Sequence, residues 1–334
     1  ELLMRAEDLH VAQLFTWSHR KNNWDKQPIP ATPLVHFDAS RYYQLLAGHD
    51  SRQGGGISLY HLQHPPEKLA GRLAASAEFP PSVELALDAS KSEGVWIEAD
   101  TATAWDLPVW IAHDVIDSVR LADHRFGRDR FEESEVGQIP RNKAVYSGAN
   151  GLGRWSEHVY YQILNCGLRI PPTAGSGSGD THHPLGTNRV YVYCDSAFSY
   201  EKWWEGLRAG RVMVTGGPLL RPTVEGRPPG HVFRGEKGKT LRLQMDLQLA
   251  TKDRIEYLEL IKNGEIAEAV RLDDYVDRAG RLPPLEFTDC GWFLVRAVTE
   301  TAKTYRFASS GPFYVEFEGR PRISRRSVRF FQDW

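Results

Sequence analysis

Histidine and carboxylate side chains recur in this 334-residue chain at the points where strand-like segments end. Those ends are where α/β folds position catalytic and binding groups. The candidates are His19, His49, Asp50, Glu98, Asp123, His124, Asp180, His182 and His183. Imidazole and carboxylate are ligands for zinc, manganese and iron. A divalent metal held by some of them could lower the pKa of a bound water to about 7 and create a nucleophile at neutral pH.

The densest part of this set is a Gly/Ser loop at 175–183, which carries Asp180, His182 and His183. The spacing is weakly specific, because the chain contains neither His-x-His nor His-Glu-x-x-His. Asp180 could instead cap the loop by bonding its own backbone. The glycines at 54–56 offer an anion-cradling turn, but the lysine and hydroxyl of a P-loop do not follow them.

Tryptophans flank several of these positions, although most of the aromatic residues are expected in the core. Trp17, Trp24 and Trp105 fall beside the candidate site and could form a wall on which a sugar stacks. The sequence therefore also allows a binding site for a carbohydrate.

The elements that must position these groups change in type near residue 220. Upstream, helical and strand patterns alternate, which predicts parallel β/α units. The predicted helices are 81–92, 106–112 and 199–210, and the predicted strands are 11–16, 95–98 and 115–122. Downstream, residues 241–249 alternate apolar and polar, and Asn263-Gly264 indicates a hairpin turn. We therefore predict an α/β domain at 1–220 and a small antiparallel β-sandwich at 221–334 that ends in a helix, with a stiff linker at 216–230.

Composition limits the partners. The formal net charge of −2 gives no reason to expect nucleic acid or an anionic membrane surface. No apolar run approaches the roughly 20 residues of a membrane span. The three cysteines have neither zinc-ligand spacing nor the pattern of a disulfide framework. The expected partner is a small-molecule or carbohydrate-like substrate, and the oligomeric state stays open. The chain begins at Glu1 inside a helical pattern, so a preceding segment is expected.

Three long segments resemble the CehA/McbA family of metallohydrolases, which belongs to the PHP (polymerase and histidinol phosphatase) superfamily. They are residues 165–176, 186–192 and 203–219, with further similarity at 2–11, 41–43, 105–110 and 308–315. The resemblance spans nearly the whole chain. It implies a distorted (β/α)7 barrel with metals at the strand ends, hydrolysis of ester, carbamate or phosphoester bonds, and export from the cytoplasm for many relatives.

The family motifs match this chain in part. The family's Thr-Asp-His corresponds to Thr16-Trp17-Ser18-His19, its Gly-x-Glu to Gly48-His49-Asp50, and its late Asp-x-His to Asp180-Thr-His182, displaced by four residues. Its opening His-x-His would precede Leu2.

The sequence is consistent with a hydrolase, with a ligand-binding protein and with a purely structural module of a larger secreted protein. The first is a hydrolase that uses one divalent metal (zinc, manganese or iron), with Arg169 or Arg189 steadying developing negative charge. Its metal ligands would come from His19, His49, Asp123, His124, Asp180 and His182. The second is a catalytically inactive PHP-like protein that binds a carbohydrate or another ligand.

Overall fold

The computed structural model describes residues 1–18, 21–22, 31–63, 78–176 and 183–334. Within these residues the protein is mixed α/β and mostly sheet, with seven helices and several sheets. The predictions for His19, Trp24, Asp180 and His182 fall outside the described residues. In the described part of the chain, no helix is both long and apolar enough to cross a bilayer.

The first part of the chain forms a sheet that is covered by helices. Its elements are α1 (Leu2–Ala6), β1 (Val11–Ser18), β2 (Lys21–Asn22), β3 (Leu34–Asp38), β4 (Arg41–Arg52), β5 (Gly55–Tyr60), α2 (Ser82–Ala89), β6 (Trp96–Ala99), α3 (Leu107–Ala112), β7 (Ser118–Ala122), α4 (Gly148–Asn165) and β8 (Pro172–Ala174).

The first sheet has the order β2-β1-β4-β5-β6-β7-β8, with β3 also paired to β4. The pairs β1–β4, β6–β7 and β7–β8 are parallel. The pairs β4–β5 and β5–β6 are antiparallel. The sheet is therefore mixed, because β5 follows β4 through a tight turn rather than through a helix.

Alternation along the central strands gives this sheet two different faces. Ile57 and Leu59 of β5 are fully buried in the apolar core, as are Ile97 of β6 and Val119 of β7. The residues between them in sequence are polar or aromatic and project to the opposite face. One face of the sheet thus packs against the apolar core, and the other face carries the polar and aromatic side chains.

Helices α2, α3 and α4 cover the apolar face. Trp110 of α3 is fully buried and donates its indole N–H to Ser82 of α2 at 3.0 Å. Along α4, Leu152, Val159 and Ile163 recur at helical spacing and are buried in the same core.

The second part of the chain is built mainly from strands. Its elements are β9 (Arg189–Val192), α5 (Tyr200–Arg208), β10 (Val212–Thr215), β11 (Leu219–Val224), β12 (Val232–Gly235), β13 (Leu241–Leu243), β14 (Met245–Ala250), β15 (Ile255–Lys262), β16 (Glu265–Arg271), α6 (Leu272–Asp277), β17 (Leu285–Phe287), β18 (Gly291–Thr299), β19 (Phe307–Ser310), β20 (Phe313–Phe317) and α7 (Arg325–Gln332).

The second large sheet contains strands from both sides of residue 220, where the sequence pattern changes. Its order is β12-β20-β18-β19-β10-β9, with β15 paired to β18 and β16 paired to β15. Strand β10 therefore pairs with β19 from the far end of the chain. The linker prediction for 216–230 is wrong over Leu219–Val224, because these residues form β11 and pair in register with β14.

Several local predictions are confirmed. The Ser199 side chain caps α5 by accepting a bond from the Lys202 backbone N–H at 3.3 Å. Asn263-Gly264 joins β15 and β16 in a hairpin, and α7 forms near the end of the chain. Residues 241–249 differ from the prediction of one strand. The chain changes partners at Gln244, so that β13 pairs with β17 while β14 pairs with β11.

Candidate functional site

The polar face of the first sheet lines a cavity of about 660 Å³. Strands β1, β4, β5, β6, β7 and β8 contribute to it from one side, and β9 and α5 contribute from the other. A concave space of this size, lined by apolar surface and a few converging polar groups, is typical of small-molecule sites.

A row of directly opposed residues crosses the cavity floor. In the pairing register His49 faces Ser58, Ser58 faces Glu98, and Glu98 faces Ser118. Directly opposite residues on neighbouring strands have Cβ atoms about 5 Å apart, so their side chains interact. The sheet register thus brings together four polar residues that lie up to 69 positions apart in sequence.

The guanidinium of Arg120 on β7 lies at the centre of this floor. Its Nη2 contacts Glu98 Oε1 and lies 3.2 Å from Asp100 Oδ1, 3.1 Å from Ser58 Oγ and 2.9 Å from the Tyr60 hydroxyl. Its Nε donates a second bond to Glu98 Oε1 at 2.8 Å. Four oxygens therefore surround one nitrogen. We call this arrangement the oxygen cage.

Glu98 accepts bonds from several further donors. The Tyr60 hydroxyl donates to its Oε1 at 3.0 Å, Ser118 Oγ donates to Oε2 at 3.3 Å, and Thr173 Oγ1 also donates to Oε2. Buried carboxylates are tolerated when they are paired and hydrogen-bonded in this way. Glu98 thus accepts hydrogen bonds from four side chains and connects them across the floor.

His49 and Asp100 form a dyad beside the cage. His49 Nε2 contacts Asp100 Oδ2, and Ser58 Oγ donates to Asp100 Oδ1 at 2.5 Å. Burial alone would lower the pKa of His49, but the charge and hydrogen bond of Asp100 outweigh it and raise that pKa. Burial opposes ionisation of Asp100, whereas His49 and Arg120 hold the pKa of its carboxyl well below its ordinary value. The dyad can hold a proton and orient the imidazole.

Gly56 makes room for this dyad. A Cβ atom at position 56 would lie 2.5 Å from Asp100 Oδ2 and 3.3 Å from His49 Nε2. The glycines at 54–56 thus serve close approach between β5 and its neighbours rather than an anion-cradling turn, since a Cβ at Gly54 would also meet the Asp106 carboxylate.

Aromatic rings form the remaining wall of the cavity. Phe15 of β1 and Tyr191 of β9 line the cavity and are 48% and 42% exposed, so part of each ring is accessible to a ligand. The indole of Trp204 also lines the cavity and is only 2% exposed. Trp105, which the sequence suggested as a sugar wall, does not line this cavity, and its carbonyl accepts a bond from Trp334 Nε1.

His61 lies behind this wall and is expected to make folding sensitive to acid. Its ring stacks on Tyr200 at 5.3 Å and meets Trp204 edge-on at 4.2 Å. Burial, followed by the charge of Arg208, lowers the pKa of His61 from 6.5 to about 4. The unfolded chain therefore binds more protons than the folded one between these values. The stabilisation is complete above the unfolded pKa and is lost as the pH falls from 6.5 towards 4.

This loss is measured by urea unfolding of wild type and His61→Phe at pH 7 and pH 4.5. Allowing for partial exposure, we expect the wild type to lose on the order of 2 kcal/mol more than the variant over this range. Phenylalanine keeps a ring against Tyr200 but does not titrate. Equal losses in the two proteins would show that His61 has no part in the acid response.

Only some of the metal ligands that the sequence suggests lie at the cavity. His49 and His124 both line the cavity. Asp123 is buried and held by Arg125, whose Nε and Nη2 lie 2.6–3.0 Å from its two oxygens. His19, Asp180 and His182 are outside the described residues.

The two arginines proposed to steady negative charge lie in different places. Arg189 lines the cavity and pairs with Glu7 at 3.2 Å. Arg169 does not line this cavity; it pairs with Glu316 and lies over the Tyr314 ring.

The described residues do not fit a metal centre. Among them, no group of three His, Cys, Asp or Glu side chains is arranged to hold a metal ion. The reason is visible in the pairing: Arg120 occupies the carboxylates of Glu98 and Asp100, and Arg125 occupies that of Asp123. No chemical step is therefore assigned to a metal.

Sequence reasoning missed most of the floor. Glu98 was a candidate, but Ser58, Asp100, Arg120 and Thr173 were not. A signal was present within the strands: Ile57-Ser-Leu-Tyr60 and Val119-Arg-Leu121 each place a polar side chain between two core residues. A charged residue inside such an alternation must project to the face opposite the core.

Comparisons with known proteins identify no family for this chain. No family model matches it, and no curated protein matches it. Among solved structures, the fibronectin(III)-like modules of Clostridium thermocellum CbhA are similar at 12% identity, over 32% of this chain and 61% of that chain, with a TM-score of 0.21. The chain thus spans less than two thirds of that structure, and similarity at this level carries no argument about fold or function.

Proposed function

We propose that the cavity binds a neutral, hydroxylated small molecule of the carbohydrate class. The observation that carries the proposal is the combination of partly exposed aromatic rings at the wall with a hydrogen-bonding floor whose charges are already compensated. The C–H face of a sugar is apolar and packs on rings such as Phe15 and Tyr191, while its hydroxyls need donors and acceptors such as those of the floor.

The charge distribution favours a neutral ligand over an anionic one. Arg120 is engaged by Glu98 and Asp100, and Arg189 is engaged by Glu7. Both arginines among the described lining residues are therefore already paired with carboxylates. A phosphate or carboxylate ligand is held best by guanidinium groups that are free to form paired bonds with it.

The proposal includes membership of the CehA/McbA family, with a PHP-like distorted (β/α)7 barrel at 1–220 and a β-sandwich at 221–334. The neighbourhood of seven strands supports the barrel: β1, β4, β5, β6, β7 and β8 lie side by side in the first sheet, and an isolated bridge between Gly175 and Arg189 links the end of β8 to β9. Arg189 Nη1 also donates to the Glu7 carbonyl at 2.9 Å, which brings β9 close to the residues before β1.

Replacing Tyr191 by alanine is expected to weaken binding of a neutral saccharide about tenfold, because one stacking face is lost. The measurement is saturation-transfer NMR of the purified protein with a panel of neutral mono- and disaccharides, followed by titration of any that bind.

Tyr257→Ala is the matched control for this variant. Tyr257 lies on β15, is 38% exposed and does not line the cavity, so its loss should leave the affinity unchanged. If both variants bind the saccharide equally weakly, or if Tyr191→Ala binds it as tightly as wild type, the binding surface lies elsewhere.

Hydrolysis of an ester, carbamate or phosphoester bond by metal-activated water is the second candidate function. What favours it is that His49 and His124 line the cavity, and that residues 177–182, which include Asp180 and His182, follow directly on the lining residue Ser176. Elemental analysis of the purified protein tests it. One equivalent of zinc, manganese or iron that is lost in Asp180→Ala/His182→Ala supports a hydrolase. A protein that takes up none of these ions, or a double variant with unchanged metal content, contradicts it.

A further inference from the structure

We propose that the guanidinium of Arg120 is the permanent cation of the cavity and closes the oxygen cage to divalent metals. The cage consists of Glu98 Oε1, Asp100 Oδ1, Ser58 Oγ and the Tyr60 hydroxyl, all around Arg120 Nη2. This inference concerns the floor alone and does not depend on which ligand the cavity binds.

The cage has the composition of a cation site. It contains two carboxylates and two neutral oxygens, the donor type that Mg²⁺, Ca²⁺ and Mn²⁺ prefer. Its four donors come from β5, from β6 and from the residue that follows β6, so the sheet itself fixes their positions.

Arginine fills this site in a way that a metal cannot displace. A guanidinium keeps its proton at any pH at which the protein folds. Glu98 holds it through both Nε and Nη2, and the Arg120 side chain is only 13% exposed. A second cation at the same oxygens would lie within about 3 Å of Nη2, where repulsion inside the protein is strong.

The consequence is that an arginine of the chain itself supplies positive charge in the cavity, whereas the resemblance to metallohydrolases implies a metal ion. The carboxylates of Glu98 and Asp100 are organised and compensated without any ion from solution. Removing the guanidinium should convert the cage into a site for a hard divalent cation.

Thermal unfolding of wild type, Arg120→Ala and Arg120→Lys, each with EDTA or with Mn²⁺ or Ca²⁺, tests this inference. At an ion concentration about 100 times its Kd, we expect Arg120→Ala to gain about 5 °C or more in Tm. Wild type and Arg120→Lys, which both keep a cation, should be unchanged. Adding Glu98→Gln to Arg120→Ala should abolish the gain.

Calorimetric titration of wild type and Asp100→Asn with Mn²⁺ keeps the inference testable even if Arg120→Ala does not fold. If wild type binds Mn²⁺ and Asp100→Asn does not, the inference is overturned. It is also overturned if Arg120→Ala folds but its Tm does not change when the ions are added. Identical Mn²⁺ titrations of wild type and Asp100→Asn support the inference. These outcomes are independent of saccharide binding, so either proposal can fail alone.

Discussion

Replacing Arg296 by methionine is expected to lower the free energy of unfolding by about 3–5 kcal/mol, because it leaves buried carboxylate charge without its partner. Arg296 Nη1 lies 2.5 Å from Glu157 Oε2, and Nη2 lies 2.6 Å from Glu259 Oε2. The Tyr305 hydroxyl donates to the same Glu157 oxygen at 2.8 Å. This network fastens α4, which covers the first sheet, to β15 and β18 of the second sheet.

The cost arises from Glu157. Its side chain is almost completely buried, and burial raises the pKa of its carboxyl even though Arg296 pulls that pKa down. Without Arg296 the carboxyl must either remain charged in a medium of low polarity or take up a proton. Methionine fills much of the arginine volume, so the effect isolates the charge.

Urea unfolding of wild type, Arg296→Met and Arg296→Met/Glu157→Gln measures this effect. The double variant should recover part of the loss, since the stranded charge is gone. Arg254→Met is the control: Arg254 pairs with Glu300 at 3.3 Å but is 80% exposed, so its loss should cost less than about 1 kcal/mol. Equal losses for Arg296→Met and Arg254→Met would mean that the buried network does not stabilise the fold.

Glu98→Gln is expected to cost about 2–4 kcal/mol of stability and to remove ligand binding by the cavity. Glutamine has the same shape, but its amide N–H₂ cannot accept, and it would replace one of the two oxygens that accept bonds from Tyr60, Arg120, Ser118 and Thr173. The guanidinium would lose its principal counter-charge while it remains buried.

The measurement combines denaturant unfolding with saccharide titration of the same variant. Glu268→Gln, a change of the same chemistry at an exposed position on β16, should alter stability by no more than about 0.5 kcal/mol and leave binding intact. If Glu98→Gln were as stable as Glu268→Gln and bound saccharide normally, the floor would not be organised by Glu98.

The fold was partly predictable because local signals and tertiary structure agreed over several segments. Ser199 capped the helix that it was expected to cap, and Asn263-Gly264 formed the expected hairpin. The sheet directions around β4 and β5 were not predictable in this way. Both strands lie close together in sequence, and whether they pair with each other depends on the short turn at Gln53 and Gly54 rather than on periodicity.

The site was predictable only for residues that stand out in a linear reading. His49 and Glu98 were identified as titratable groups near strand ends, and both lie in the cavity. Arg120 was overlooked because a single arginine within an apolar strand carries no motif. Its role depends on the register that brings β5, β6 and β7 side by side, which is a property of the folded sheet and not of any one segment.

The most direct test of the proposed function is a calorimetric titration of the purified protein, with and without EDTA, with neutral saccharides and with the matching sugar phosphates. We expect saturable binding of a neutral sugar that does not change with EDTA and that is weakened by Tyr191→Ala. Binding of the phosphorylated sugar alone, or binding that requires added Mn²⁺, would contradict a metal-free cavity built for a neutral ligand.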